Sequence, residues 1–399
     1  MGNKIIGIFL LFVIACNSQH ETATVSEKNG VTTIRIDPKT SRDSKLTEFF
    51  EDEITYLLLK ENDEKDSQIG EIDTIIEYKD EIYILDWWIG KCIQVFDKEG
   101  NFKRKIRNYG DGVGMYTELA DFQIQRDTIY VLAHPSKIMK YSINGEYINE
   151  VKIPVLARRF RFDPKHEQFF IYSGSNAEKL VTSVDHNGSI VDEYFSTHSD
   201  VFYGNMGDRV NFYPIDNTFY FTRSYSDTLY QFSNNKFIPL FIYDFGSFGL
   251  KHDELLEKQR ELDPRSFKSY FDENAGISYS PFGFSNSKYI FSRLSFSDIG
   301  IVSIYDKVNK THDLVNFDII NDIDESFNFY PPIYQLENDR VAVAYRGPTL
   351  YNKAVAKKQT MSDDDWKAYQ EGKGKDFIEA AFYAKETENY VLMILKTKK

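Results

Sequence analysis

Three strand-like segments of similar pattern end on the same residue. Phe219-Tyr-Phe-Thr-Arg223, Tyr289-Ile-Phe-Ser-Arg293 and Ala342-Val-Ala-Tyr-Arg346 each run from apolar residues into one arginine. A guanidinium offers its N–H donors in a planar fork that fits a carboxylate or a phosphate. Three of them at equivalent places in a repeated structure would converge on one mouth and favour an anionic ligand. Arg158 and Arg159, ahead of the third repeat, would add to them. The competing use is structural. Each arginine would then pair with an acidic residue of the neighbouring repeat, Asp86 among them.

Other groups could bind. Asp86-Trp87-Trp88 puts two adjacent indoles on a loop, where one can stack on a sugar or a peptide side chain while the other packs inside. Tyr109-Gly-Asp-Gly-Val-Gly-Met-Tyr116 is glycine-rich, but a phosphate cradle needs a helix opening after it, and a strand pattern follows at Phe122–Ile124. Its glycines are expected to fold the loop tightly, with Tyr109 and Tyr116 as possible ligand contacts. His134 falls on the same side. His20, His166, His186, His198, His252 and His312 are scattered without metal-ligand spacing. No Gly-x-Ser-x-Gly elbow and no calcium-loop pattern occurs. No catalytic residue, metal site or cofactor is expected.

These residues need a frame, and the frame is repetitive. Ile82–Asp86 leads to Ile93–Asp97, a turn at Glu99-Gly100-Asn101, then Phe102–Ile106. The same order recurs from Ile129, Phe169, Phe219 and Tyr289, with turns at Asn144-Gly145, Asn187-Gly188, Asn234-Asn235 and Asn309-Lys310. A sixth unit starts at Ala342 and resumes, after a long insertion, at Tyr390–Leu395. Asn-Gly pairs between apolar runs mark hairpins whose two turn residues take positive φ. Each unit is preceded by one more short strand, as at Ile72–Ile76, Phe122–Ile124, Phe160–Phe162, Val210–Tyr213 and Ile333–Leu336. Four strands per unit at this spacing match the blades of a propeller. The sixth unit lacks its fourth strand. Val31–Ile36 alternates as a strand and is expected to supply it, pairing with Tyr390–Leu395 and removing an open edge.

The tight turns then fall on one face. The other face receives the long connections, including Ser247–Gly276 and Pro348–Asn389. Both insertions read as partly helical: Leu255, Leu256 and Leu262 are helically spaced before Pro264, and Ser362 can cap a helix carrying Trp366 and Tyr369.

The first residues fix the compartment. Lys4 precedes the uncharged run Ile5–Ala15, which is too short to span a bilayer and has the layout of a secretion signal. Val13-Ile14-Ala15-Cys16 resembles the lipobox of bacterial lipoproteins, which implies cleavage before Cys16 and lipidation of it. Asn17 follows, so the aspartate of inner-membrane retention is absent. Cys92 is the only other thiol, and an exported fold of this kind must hold by its core. Lys and Arg number 48 against 61 Asp and Glu, so nucleic acid is excluded as a partner.

The lipobox, the IYILD-type strands, the FDKEGNF-type turns and Tyr109–Tyr116 followed by Asp121-Phe122 together resemble the six-bladed β-propeller lipoproteins of Gram-negative bacteria, which group with NHL-repeat and TolB-like propellers. The resemblance extends from about Val31 to the end. It implies a fold rather than an activity. The expected organisation is a signal peptide over residues 1–15, a tether over 16–30 and an all-β, six-bladed propeller of four-stranded antiparallel blades over 31–399. The expected role is ligand or partner binding at the outer membrane, facing the periplasm, with a small molecule, a glycan or a protein as the partner. A hydrolase or lyase beneath the insertions, or a scaffold in an envelope complex, are the alternatives.

Overall fold

Turns set the repeating unit. Asp97 ends a strand, and its carboxylate accepts from the amides of Glu99 (3.0 Å) and Asn101 (2.8 Å). Asp185 holds Asn187 and Ser189 in the same way, and Asp306 holds Val308 and Asn309. Such local bonds make the aspartate a turn former. At Gly100, Gly145 and Gly188 the glycine alone is left-handed (φ 77°, 92° and 86°), and the adjoining strand pair shifts register by one residue. These are glycine-bulge turns, not the expected two-residue form. Asn234-Asn235, with both φ positive, does follow that form.

The computed structural model describes residues 24–62, 67–134, 136–174, 176–204, 210–215, 218–296, 299–329 and 334–399. The expected signal peptide, Cys16 and the start of the tether lie outside the described residues, as does Ile333 of one expected strand. The strands form six sheets, mostly antiparallel. Sheet one holds Thr74–Tyr78, Glu81–Asp86, Cys92–Asp97 and Phe102–Ile106. Sheet two holds Glu118–Gln125, Thr128–His134, Lys137–Ser142 and Tyr147–Lys152. Sheet three holds Arg159–Asp163, Gln168–Tyr172, Lys179–Val184 and Ile190–Ser196. Sheet four is built on Phe212–Ile215, Thr218–Phe221, Thr228–Ser233 and Lys236–Asp244. Sheet five holds Ile277–Ser285, Tyr289–Phe296, Ile299–Asp306 and Thr311–Asn316. Sheet six holds Tyr334–Gln335, Arg340–Arg346, Tyr390–Thr397 and, from the beginning of the chain, Phe50–Leu58.

That last pairing corrects the expected one. Phe50–Leu58, not Val31–Ile36, lies antiparallel to Tyr390–Thr397, with Ile54 opposite Leu395 and Leu58 opposite Val391. Its inward side chains Phe50 and Ile54 are buried, while Asp52 and Glu53 face solvent. A sheet's outer strand needs only one apolar face, so the acidic run Glu51-Asp52-Glu53 does not prevent it. Val31–Arg35 is a strand as expected, but it runs parallel to Lys236–Asp244 on sheet four and buries Ile34 there. Val25–Lys28 folds back on it through Asn29-Gly30. The folded chain therefore starts before the expected tether ends at Gly30. Between these strands, Arg42 bridges to Val315 and Lys45 to Ile320. One N-terminal segment thus runs along the outer edges of sheets four, five and six in turn.

Apolar layers join each sheet to the next. Tyr83, Val95, Phe122 and Tyr141 lie between sheets one and two, and Phe160 and Phe169 between two and three. Phe170, Phe219 and Phe232 lie between three and four. Ile34, Tyr243 and Leu294 lie between four and five, and Phe50, Phe291 and Met393 between five and six. Ile75, Ile84, Leu392 and Ile394 lie between six and one. The first strands follow the same order. Each touches the first strand of the next sheet, and Tyr334–Gln335 touches Thr74–Tyr78.

Both insertions are helical as expected. His252–Glu261 and Pro264–Asn274 connect sheets four and five. Pro264 both ends the first helix and opens the second, which Asp263 caps. Gly347–Gln359, Asp363–Glu371 and Lys375–Tyr383 interrupt sheet six, with Ser362 capping the middle helix through the Asp365 amide.

Candidate functional site

Antiparallel order puts the end of every second strand, and the exit of every fourth, at one end of the sheets. The Asp-Gly turns occupy the other. The loop end therefore carries both helical insertions and all the candidate side chains.

Asp86 is corrected from ligand contact to structural staple. It is fully buried, and its carboxylate accepts from the amides of Gly70 (2.6 Å) and Gly90 (2.8 Å). A Cβ at Gly90 would come within 2.5 Å of that carboxylate, so only glycine permits the approach. Tyr116 is corrected likewise. It is 3% exposed, its hydroxyl donates to the Lys91 carbonyl (2.8 Å), and burial pushes its pKa up. Fixed from below in this way, the loop presents what the two residues bracket. Trp87 packs on the core between sheets one and two, while Trp88 stands 61% exposed with its ring 5.3 Å from Trp87. Tyr109 is half exposed, with Lys91 (5.0 Å) and Arg107 (5.4 Å) over its ring. The glycine loop closes as expected: Gly110 donates to the Tyr116 carbonyl (2.9 Å), and a strand follows rather than a helix. His134 ends its strand at this level, where its carbonyl accepts from Thr117.

The arginines follow neither sequence reading in full. Arg346 is exposed, donates to the Gly70 carbonyl and lies 4.9 Å over the Tyr390 ring. Arg223 donates to the Ser224 carbonyl (2.9 Å) and lies 4.5 Å over Tyr203. Arg293 lies 4.6 Å over Phe317, and desolvation lowers its pKa. Each guanidinium is thus seated on a ring, a contact that leaves in-plane N–H groups directed sideways. Gly70 brings Arg346 and Asp86 together, one on its carbonyl and the other on its amide. Arg223 lies apart, beside His252, whose pKa is lowered by burial and by that guanidinium. Arg158 is exposed. Arg159 is buried, against Asp73 (3.2 Å).

Two groupings escaped the sequence reading. A groove of about 430 Å³ beside the long insertion is lined by Ser326, Phe327, Lys353, Ala356, Lys357 and Thr360. Lys353 lies 4.3 Å over Phe327, and burial lowers its pKa. The i, i+4 spacing of Lys353 and Lys357 on one helix was the available signal. Deeper, Asp121 accepts from the Phe160 amide (3.1 Å) and so ties the first strands of sheets two and three. Burial pushes its pKa up to about 7, against the pull of Arg159. Arg161, enclosed near it, is pushed down to about 10 by loss of solvation.

The Asp121 shift has a definite sign. The folded pKa lies above the unfolded value, so the folded state holds an extra proton between about pH 4 and pH 7. Stability falls as pH rises through that window and is level above it. Asp121→Asn should flatten the slope and gain about 1–2 kcal/mol at pH 8, less than the full shift because Asn keeps one acceptor. Urea titrations at pH 5 and pH 8 measure it. An unchanged pH slope would show that Asp121 is not the group responsible.

Among the described residues no cluster of His, Cys, Asp and Glu could hold a metal ion, and no helix is long and apolar enough to cross a membrane.

Six sheets, mostly antiparallel, covalently successive and packed face to face, define an all-β repeat protein with a loop-bearing end. The chain belongs to the DUF4934 family, a domain of unknown function, whose profile matches residues 31–396. Its fold is similar to that of a Bacteroides fragilis protein inferred to be exported. The two are 15% identical, with a TM-score of 0.72 over 92% of this chain and 99% of that one. The computationally designed Ika8 protein matches at 10% identity over 69% of this chain and 68% of its own. Its TM-score of 0.34 is too low to bear on the fold. No curated protein matches this chain.

Proposed function

We propose that this chain is a lipid-anchored, six-bladed β-propeller of the cell envelope, held at the outer membrane through Cys16, that binds an anionic ligand or partner at its loop end. The ring reading is supported by the order of contacts, in which sheet six meets sheet one as each other sheet meets its neighbour. Kinship with NHL-repeat and TolB-like propellers belongs to the same reading. An envelope location is supported by the signal-like N-terminus and by the fold it shares with the Bacteroides fragilis protein inferred to be exported.

The observation that carries the binding role is the placement of Arg223, Arg293 and Arg346. Arg346 ends the second strand of sheet six, Arg223 lies two residues beyond that of sheet four and Arg293 lies within the latter half of that of sheet five, and all three sit on aromatic rings. Ring-seated guanidinium groups are pre-ordered, so an incoming carboxylate or phosphate costs less side-chain entropy to hold. Thermal midpoints should rise with at least one of citrate, inorganic phosphate or an acidic oligosaccharide, in proportion to ligand excess. Joint replacement Arg223→Met, Arg293→Met and Arg346→Met should abolish that rise while leaving the unliganded midpoint within a few degrees. A triple variant that responds as the parent does would end the anion reading.

A further inference from the structure

Six large apolar side chains stand out from the loop end of sheets one and two: Trp88, Ile89, Tyr109, Val113, Met115 and Leu156, between 43% and 92% exposed. Five of them belong to two loops that are locked together. Lys91 donates to the Thr117 carbonyl (3.2 Å) and lies over the Tyr109 ring, while Tyr116 donates back to the Lys91 carbonyl. Lys137 holds the Met115 carbonyl (2.7 Å), which fixes the glycine loop to sheet two. The patch is therefore a held surface rather than a loose tip. Elsewhere the exposed aliphatic residues Ile148, Ile190, Val191, Ile238, Ile299 and Val308 are spread over four sheets, and the exposed rings of Phe382 and Tyr383 lie on the last helix of the long insertion. An exposed apolar patch of this kind marks a contact surface.

Its chemistry is that of a bilayer interface. Trp and Tyr prefer the headgroup level, aliphatic side chains the acyl boundary below it, and Lys and Arg the anionic surface above. Lys91 and Arg107 lie over the Tyr109 ring, exposed Arg158 follows Leu156 by two residues, and none of the three has an ion-pair partner among the described residues. Asp111 is the one acid within the glycine loop. This cationic rim belongs to a chain with 13 more acidic than basic side chains.

The start of the chain supplies the second argument. Arg35 pairs with Asp244, the last residue of its strand, and the Arg35 amide donates to the Thr24 carbonyl (2.8 Å). Thr24 therefore leaves the fold at the loop end. The seven residues 17–23 can reach about 25 Å when fully extended. A lipid on Cys16 therefore leaves the loop end within reach of the membrane that holds it.

We infer that the Trp88–Tyr109–Val113 patch rests in the interface of the phospholipid bilayer to which the chain is tethered, with Lys91, Arg107 and Arg158 at the headgroups. The inference rests on the anchored reading above but can fail separately from it. The test uses the acylated mature protein in vesicles of phosphatidylethanolamine and phosphatidylglycerol, with and without lipids brominated near the headgroup end of the acyl chain. Mass spectrometry of the N-terminal peptide first establishes acylation of Cys16; an unmodified cysteine would overturn the anchor. Brominated lipid should lower the emission that Trp88→Phe removes, on the order of twofold for an interfacial indole. Val113→Asp with Met115→Asp should largely restore that emission without moving the thermal midpoint. An acylated protein whose Trp88 is unquenched and equally open to acrylamide with and without vesicles overturns the bilayer contact. So does a Trp88 shielded from acrylamide only when envelope proteins are present, which would assign the patch to a protein partner.

Discussion

Asn389→Leu is expected to destabilise the fold by about 3–5 kcal/mol, because three buried backbone groups lose their partner together. The Asn389 side chain is fully buried at the end of the long insertion. Its oxygen accepts from the Ile69 amide (2.8 Å), and its nitrogen donates to the carbonyls of Leu59 (3.2 Å) and Ser67 (2.9 Å). These groups belong to the segment that carries the chain from sheet six to sheet one, and no regular strand satisfies them. Leucine keeps the same branched heavy-atom skeleton, so the loss is chiefly polar, with a smaller crowding cost from its bulkier methyl groups. For a chain of this size such a change lowers the midpoint by roughly 5 °C. Urea unfolding should show a lower midpoint concentration with an unchanged slope. A loss under about 1 kcal/mol would mean that water replaces the side chain, and that the segment is held by Asp86 and Gly70 instead.

The repeat was readable because its determinants are local. A glycine or asparagine at the turn and apolar residues on both sides produce a hairpin wherever they occur. Phe102, Tyr147 and Phe237 therefore fell in the strands expected for them. The outer strand of sheet six was not readable in the same way. Its partner Tyr390–Thr397 lies over three hundred residues away, and its acidic centre has the composition of a loop. Val31–Arg35 had the better strand pattern, and the pattern was right about the strand. It could not say which of several open edges the strand would join.

At the loop end, residue type proved a poor guide to exposure. Asp86 at a strand end and Tyr116 in a loop are both consumed by backbone groups that would otherwise be buried unpaired. The likeness of the three arginines was visible because each closes a similar apolar run, although in the fold Arg223 lies beyond its strand, Arg293 within it and Arg346 at its end. The rings beneath them, Tyr203, Phe317 and Tyr390, come from three unrelated places in the chain, and no spacing rule links them.

The outer strand of sheet six should be the largest single determinant of folding among the N-terminal elements. Phe50 is fully buried, with its ring 5.9 Å from Phe291 and 5.8 Å from Phe329, so it joins sheets five and six as well as closing an edge. Phe50→Ala should cost about 3–5 kcal/mol, through lost transfer energy and the cavity left in a rigid layer. Truncation sharpens the contrast with Val31–Arg35. Removing the N-terminal residues through Ile36 uncovers one edge of sheet four and deletes Ile34 and Ile36 from its core, yet each sheet keeps its four strands. That chain should fold with a lowered midpoint. Removing them through Leu58 leaves Tyr390–Thr397 as a bare apolar edge, because Val391, Met393 and Leu395 lose the strand that covers them. An uncovered strand of that kind pairs with other molecules, so the second chain should be recovered only as aggregate. Solubility and a cooperative melt separate the two outcomes. If the shorter chain stayed monomeric and cooperative, Phe50–Leu58 would be a cover rather than a strand the fold requires.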